Sequence, residues 1–168
     1  KSLAAILSKN NIDMVFGGGA SGLMGILADE MNALGGHSIG IMPHFMKEVE
    51  WNHPNLPEMI WVETMAQRKE KMIEDVDAVI TLPGGCGTME EFMETLSMKR
   101  LGLFTKPMIV LNSGGFYAPL ADLLDAMIRE NFLAAKHKQM WEIVEQPEEI
   151  LPAIERSTPW DISAQSFA

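Results

Sequence analysis

The chain has a single cysteine, Cys86, so no intrachain disulfide can staple it. One thiol suits a reducing compartment, and the cytoplasm is the expected location. Long apolar runs are also lacking: none approaches the roughly 18 residues of a membrane span, and no signal-peptide pattern opens the sequence. Positive charge is scarce. Thirteen Lys and Arg stand against 23 Asp and Glu, a formal net charge of −10 that repels nucleic-acid backbones and anionic membranes, so neither is an expected partner. An anionic ligand would have to be held locally, by helix termini and a few placed cations. His37, His44, His53 and His137 show no paired metal-ligand spacing and Cys86 adds none, so no metal is expected.

What remains is ordinary globular material. With 168 residues and 47% hydrophobic content the chain suits one domain around one core. That domain is expected over residues 1–156, with 157–168 a loosely specified tail. The first residue is Lys1 rather than Met, and residues 2–10 read as the later half of an amphipathic helix, so an upstream segment is expected. The fourteen methionines are expected to fill the core.

Hydrophobic periodicity alternates between strand and helix along the whole sequence. Residues 12–16 read as a short buried strand, broken by Gly17-Gly18-Gly19. Leu23, Met24, Leu27, Ala28, Met31 and Leu34 then recur at helical spacing until Gly35-Gly36, and 38–42 is a second strand closed by Pro43. Residues 44–57, with two prolines, predict an irregular excursion before a strand at 59–62. Thr64 is an expected N-cap for a helix to about 75, followed by strand 78–82, helix 88–101 and strand 108–111. Helix 116–131, a weak strand at 141–144 and helix 147–155 complete an α/β pattern with a mainly parallel, doubly wound sheet.

Two glycine clusters follow strands and precede helices. Gly17-x-Gly19-x-x-Gly22 matches the dinucleotide fingerprint formally, yet the second strand ends Ile39-Gly-Ile-Met-Pro43 without an acid to grip a ribose. Tight strand-to-helix packing accounts for Gly22 and Gly25; Gly18 and Gly19 are candidates for backbone contact with a ligand. In the second cluster, Pro83-Gly84-Gly85-Cys86-Gly87-Thr88, no Lys precedes Thr88, which disfavours a triphosphate with magnesium. A monophosphate needs only backbone N–H donors and a cation or two. Cys86 itself is expected to be a small residue filling the turn.

Thr88-Met-Glu90-Glu91 reads structurally as a capping box, Thr88 as N-cap and Glu91 as N3. It also sets carboxylates within a turn of the phosphate, where one can stabilise positive charge on a ribose ring or orient a water. On the helix opened by Thr64, Lys69 shares the stripe of Met65 and Ile73, and Arg68 borders it. Both are either surface cations or the positive groups that a phosphate requires, with Arg68 suited to a fork on its oxygens.

Three motifs then carry a resemblance: GGGASGLMG at 17–25, VETMAQRK at 62–69 and PGGCGTMEE at 83–91. Together they resemble the LOG family, the cytokinin riboside 5′-monophosphate phosphoribohydrolases. The likeness extends to about Glu155 and includes Leu111-Asn112 and Gly115-Phe116-Tyr117. It implies a Rossmann-like homodimer that splits a nucleoside 5′-monophosphate into base and ribose 5-phosphate with no metal or organic cofactor. It also implies that Arg68 and Glu91 form the catalytic pair. Gly18, Gly19, Lys69, Glu90 and the turn from Pro83 through Gly84, Gly85, Cys86 and Gly87 to Thr88 are the implied substrate-binding residues. Glu50 matches a further ligand-contacting glutamate, with Glu48 close enough to compete, and Ser97 keeps a hydroxyl where many relatives have threonine. The family's opening strand is absent, and Ala118 stands where relatives often have Asp. Some relatives carry the label lysine decarboxylase, but no sequence context positions a lysine for a pyridoxal phosphate. The main rival is a non-catalytic nucleotide-binding or carrier protein on the same scaffold.

Overall fold

The computed structural model describes residues 1–47 and 51–160. The expected Glu50 and its competitor Glu48 lie outside the described residues. The fold is α/β with parallel sheets, and the chain divides into two compact units, Lys1–Val76 and Asp77–Ala168.

The first unit runs α1 (Ser2–Lys9), β1 (Met14–Phe16), α2 (Gly22–Ala33), β2 (Ser38–Pro43), α3 (His44–Lys47), β3 (Glu58–Val62) and α4 (Met65–Ile73). Its three strands pair in parallel in the order β1-β2-β3, with Phe16 opposite Gly40 and Pro43 opposite Val62. Helix α1 packs on α2, and both α2 and α4 pack on β2. Each helix stops where the sequence asks it to. Asn11 (φ 53°) turns the chain after α1, and Gly35 (φ +71°) does so after α2, where the Gly36 N–H donates to the Met31 carbonyl at 2.8 Å. Thr64 caps α4: its hydroxyl accepts from the Gln67 N–H at 3.1 Å while the Gln67 side chain accepts from the Thr64 N–H at 3.2 Å.

The second unit runs β4 (Val79–Thr81), α5 (Cys86–Arg100), β5 (Met108–Leu111), α6 (Ala118–Arg129), β6 (Glu142–Val144) and α7 (Ile150–Arg156), with 3₁₀ turns over Ser113–Gly115, Ala135–Met140 and Pro147–Glu149. The parallel order β4-β5-β6 puts β5 in the middle. A middle strand covered on both faces should read as a continuous apolar run, and Met-Ile-Val-Leu is buried at all four positions. Trp160, within the stretch expected to be loosely specified, is buried and donates its backbone N–H to the Thr105 carbonyl. Met14, Met31, Met42, Met108 and Met140 are core residues, whereas Met24 and Met65 are exposed.

Two local expectations are corrected. Helix α5 begins at Cys86, two residues before Thr88, because extended Gly85 (φ −91°, ψ −157°) serves as N-cap and Met89 N–H already closes on its carbonyl at 3.1 Å. Thr88 is therefore the third helical residue, and the Thr88–Glu91 capping box does not form. Gly87, expected in the turn before the helix, lies in its first turn. Gly22 also differs: a Cβ there would meet nothing within 4 Å, so its φ of +63° rather than packing calls for glycine. Gly25 does serve packing, since a Cβ would lie 1.9 Å from the Ala20 carbonyl oxygen.

Candidate functional site

The predicted site residues fall in both units, Arg68 in the first and Glu91 in the second. In the first unit, β1 stops at Phe16, opposite Gly40, while β2 runs on to Pro43, and the half-buried Arg68 reaches from α4 to both backbones just past that level. Its Nε donates to the Ile41 carbonyl at 3.0 Å and its Nη2 to the Gly17 carbonyl at 3.1 Å. Gly17 leaves room for the guanidinium: a Cβ on it would sit 1.9 Å from Nη2. The arginine thus orders the turn in addition to any ligand it meets. Lys69 follows it, also half-buried.

Gly18 and Gly19 are buried and zipped to residues 51–53 of the excursion. The His53 N–H donates to the Gly18 carbonyl at 2.8 Å, Gly19 forms an antiparallel bridge with Asn52, and Ala20 N–H reaches the Trp51 carbonyl at 3.1 Å. Gly18 (φ +71°) faces the Gly40 Cα closely enough that a Cβ would sit 3.3 Å from it. His53 anchors this seam. Its buried ring accepts from the Asn55 N–H at Nδ1 (3.2 Å), which makes Nε2 the donor to Asp29 Oδ1 at 3.1 Å.

In the second unit, β4 feeds the turn Leu82–Gly85 and then α5. Gly85, Cys86 and Gly87 are exposed, which corrects the expectation that Cys86 fills the turn. The helix has no side-chain cap, and the first N–H groups of any helix lack intrahelical partners. A Cβ at Gly85 or Gly87 would meet nothing within 4 Å, whereas one at Gly84 would lie 2.2 Å from Thr88 Oγ1. Gly84 is thus required by the protein's own packing, and Gly85 and Gly87 leave open space over the helix start. One turn further on, Glu90 is exposed and Glu91 half-buried. Ser97 is exposed, and its hydroxyl donates back to the Met93 carbonyl at 2.8 Å, a local helix bond.

Several features of this unit were not singled out in the sequence. Tyr117, buried at the start of α6, donates its hydroxyl at 2.6 Å to the carbonyl of Leu82, the first residue of the turn. Burial pushes the phenol pKa up, opposed by a hydrogen bond from the Gly84 backbone. Lys99 of α5 is almost wholly buried with its ammonium donating to the Lys106 carbonyl at 2.6 Å, and desolvation lowers its pKa to about 8. Asn112-x₄-Tyr117 was visible only as part of a resemblance; a lysine on an otherwise apolar helix stripe was the available signal for Lys99. Among the described residues, no three His, Cys, Asp or Glu side chains are placed to hold a metal ion, and no helix is long and apolar enough to cross a membrane.

The chain is similar to known proteins in both sequence and fold. A family model described as "Possible lysine decarboxylase" matches residues 24–154. The cytokinin riboside 5′-monophosphate phosphoribohydrolase LOG2 of Arabidopsis thaliana is 35% identical over 175 residues, covering 98% of this chain and 82% of the relative. The probable enzyme LOGL2 of Oryza sativa subsp. japonica is also 35% identical, over 91% of this chain but only 63% of its own length. Among solved structures, a molybdenum cofactor binding protein from Rippkaea orientalis superposes with a TM-score of 0.67 at 22% identity, over 91% of this chain and 82% of that one. The molybdenum cofactor carrier protein of Chlamydomonas reinhardtii gives the same TM-score at 15% identity, over 92% and 82%. At such identities these two likenesses speak to fold alone, and the fold is Rossmann-like. Family membership rests on the sequence matches, whose extent and identity place this chain in the LOG family.

Proposed function

We propose that the chain hydrolyses the N-glycosidic bond of a nucleoside 5′-monophosphate, an AMP-like or N6-substituted cytokinin nucleotide, to free base and ribose 5-phosphate. The observation that carries this reading is the start of α5. Two exposed glycines at which a Cβ would meet nothing, Gly85 and Gly87, flank Cys86 at the N-terminus of a 15-residue helix that has no side-chain cap, with Glu90 and Glu91 in the next turn. Backbone N–H groups and the helix dipole suit a phosphate there, and the absence of side chains lets its oxygens approach closely. Pro83, Gly84 and Thr88 shape that cradle, while Gly18, Gly19, Lys69, Ser97 and Glu50 are the further proposed ligand contacts.

Breaking the ribosyl C1′–N bond leaves the electron pair on the base and builds positive charge on the sugar ring. A fixed carboxylate helps more in that transition state than in the ground state. In this reading Glu91 supplies the charge or orients the water whose oxygen bonds to C1′, and Arg68 steadies the phosphate side of the substrate. The protein works without an organic cofactor, as a homodimer in the cytoplasm.

The test is release of free base from AMP and from an N6-substituted AMP. Glu91→Gln should lower kcat about 10²- to 10⁴-fold. A Glu91→Gln variant as active as the native protein overturns the assignment, and tight nucleotide binding without base release favours the carrier reading.

A further inference from the structure

The turn Leu82-Pro83-Gly84 has a weakness built into its sequence. Proline has no N–H, so the turn has one donor fewer with which to close on itself. The structure answers from another element. The Tyr117 hydroxyl donates to the carbonyl of Leu82, the residue before the proline, at 2.6 Å. A phenylalanine would fill this buried position equally well by volume, so the oxygen has a task that packing does not set.

Tyr117 is itself held. Its N–H donates to Asn112 Oδ1 at 2.6 Å, and Asn112 continues the β5–β6 ladder through its N–H to the Val144 carbonyl at 2.7 Å. The Asn112 side-chain amide donates to Glu145 Oε1 at 2.8 Å. Between Asn112 and Tyr117, Gly114 (φ +65°) and Gly115 (φ +75°) take two left-handed steps that return the chain toward β4. The path from sheet to turn is thus a continuous set of hydrogen bonds: Val144, Asn112, Tyr117, Leu82.

We propose that Tyr117, held by Asn112, is a positioning residue for the phosphate-binding turn, its hydroxyl fixing the Leu82 carbonyl so that the N–H groups at the start of α5 keep their direction. The proposal rests on the reading of that turn as the phosphate site. Its chemistry is preorganisation: an anion that finds its donors already aimed does not have to order them.

The experiment compares native protein, Tyr117→Phe and Phe116→Leu. Phe116 is half exposed and meets the Tyr117 ring edge to face at 4.9 Å, so its variant disturbs packing and keeps the hydroxyl. Binding of ribose 5-phosphate and of inorganic phosphate is measured by calorimetry, and exchange of the Gly84 amide by NMR. Tyr117→Phe should weaken both ligands about tenfold, the worth of roughly one hydrogen bond. It should raise KM for the nucleotide more than it lowers kcat, and speed Gly84 exchange. Phe116→Leu should leave phosphate affinity at the native level. Native-like affinity in Tyr117→Phe, or an equal loss in Phe116→Leu, overturns the proposal. If native protein fails to bind ribose 5-phosphate, the phosphate reading falls by itself; the clamp on the turn is then upheld by faster Gly84 exchange in Tyr117→Phe and refuted by unchanged exchange.

Discussion

Gly17→Ala is the substitution whose consequence follows most directly from the structure. A Cβ at this position would lie 1.9 Å from Arg68 Nη2, and glycine's φ there is not in the left-handed region, so backbone strain does not enter. The guanidinium has to shift, which costs at least its bond to the Gly17 carbonyl. A hydrogen bond to a charged group contributes about 1.5–3 kcal/mol, and the half-exposed setting of Arg68 argues for the lower end. Replacing Gly by Ala returns about 0.4–1 kcal/mol by restricting the unfolded chain. The net expectation is destabilisation by about 1 kcal/mol, read as a lower urea midpoint at unchanged slope. The decisive arm is a double-mutant cycle: with Arg68→Ala already present, Gly17→Ala should be neutral or slightly stabilising, giving a coupling of about 1–2 kcal/mol. If alanine at 17 costs as much without the arginine as with it, Arg68 is not the reason for the glycine. Base release by Gly17→Ala should fall as well, because the arginine is displaced without being altered.

Two further outcomes concern stability. Thr64→Ala removes the capping box of α4 and should cost about 1 kcal/mol, seen as a lower Tm. Lys99 should make stability depend on pH: its folded pKa of about 8 lies below the unfolded value, so unfolding takes up a proton, and stability rises with pH from about 8 toward 10. The rise should stop near pH 10, where burial of Tyr117, with its raised pKa, begins to oppose ionisation in the folded state. Urea midpoints between pH 7 and 10 check this; a flat native profile, or an unchanged rise in Lys99→Met, refutes it.

Much of the secondary structure was legible because it is set by neighbours along the chain. The β5 run Met108–Leu111, the Thr64 cap and the stop at Gly35 each depend on residues within about four positions, and the motifs at 17–25, 62–69 and 83–91 marked the candidate site by their order alone. The start of α5 was misread because Gly87 and Thr88 carry a breaker and a cap by local rules, whereas Gly85 supplies the cap. What only the tertiary structure decided involves partners far apart in sequence. Gly17 makes room for Arg68, Gly18 and Gly19 are tied to residues 51–53, and the Tyr117 hydroxyl reaches back 35 residues to Leu82. Helical spacing puts Lys99 on the stripe of Phe92 and Leu96, but the docking of its helix gives it the Lys106 carbonyl as partner. Periodicity reports which face of an element is apolar; the atoms that face meets are chosen by the packing of whole elements, and no local spacing encodes them.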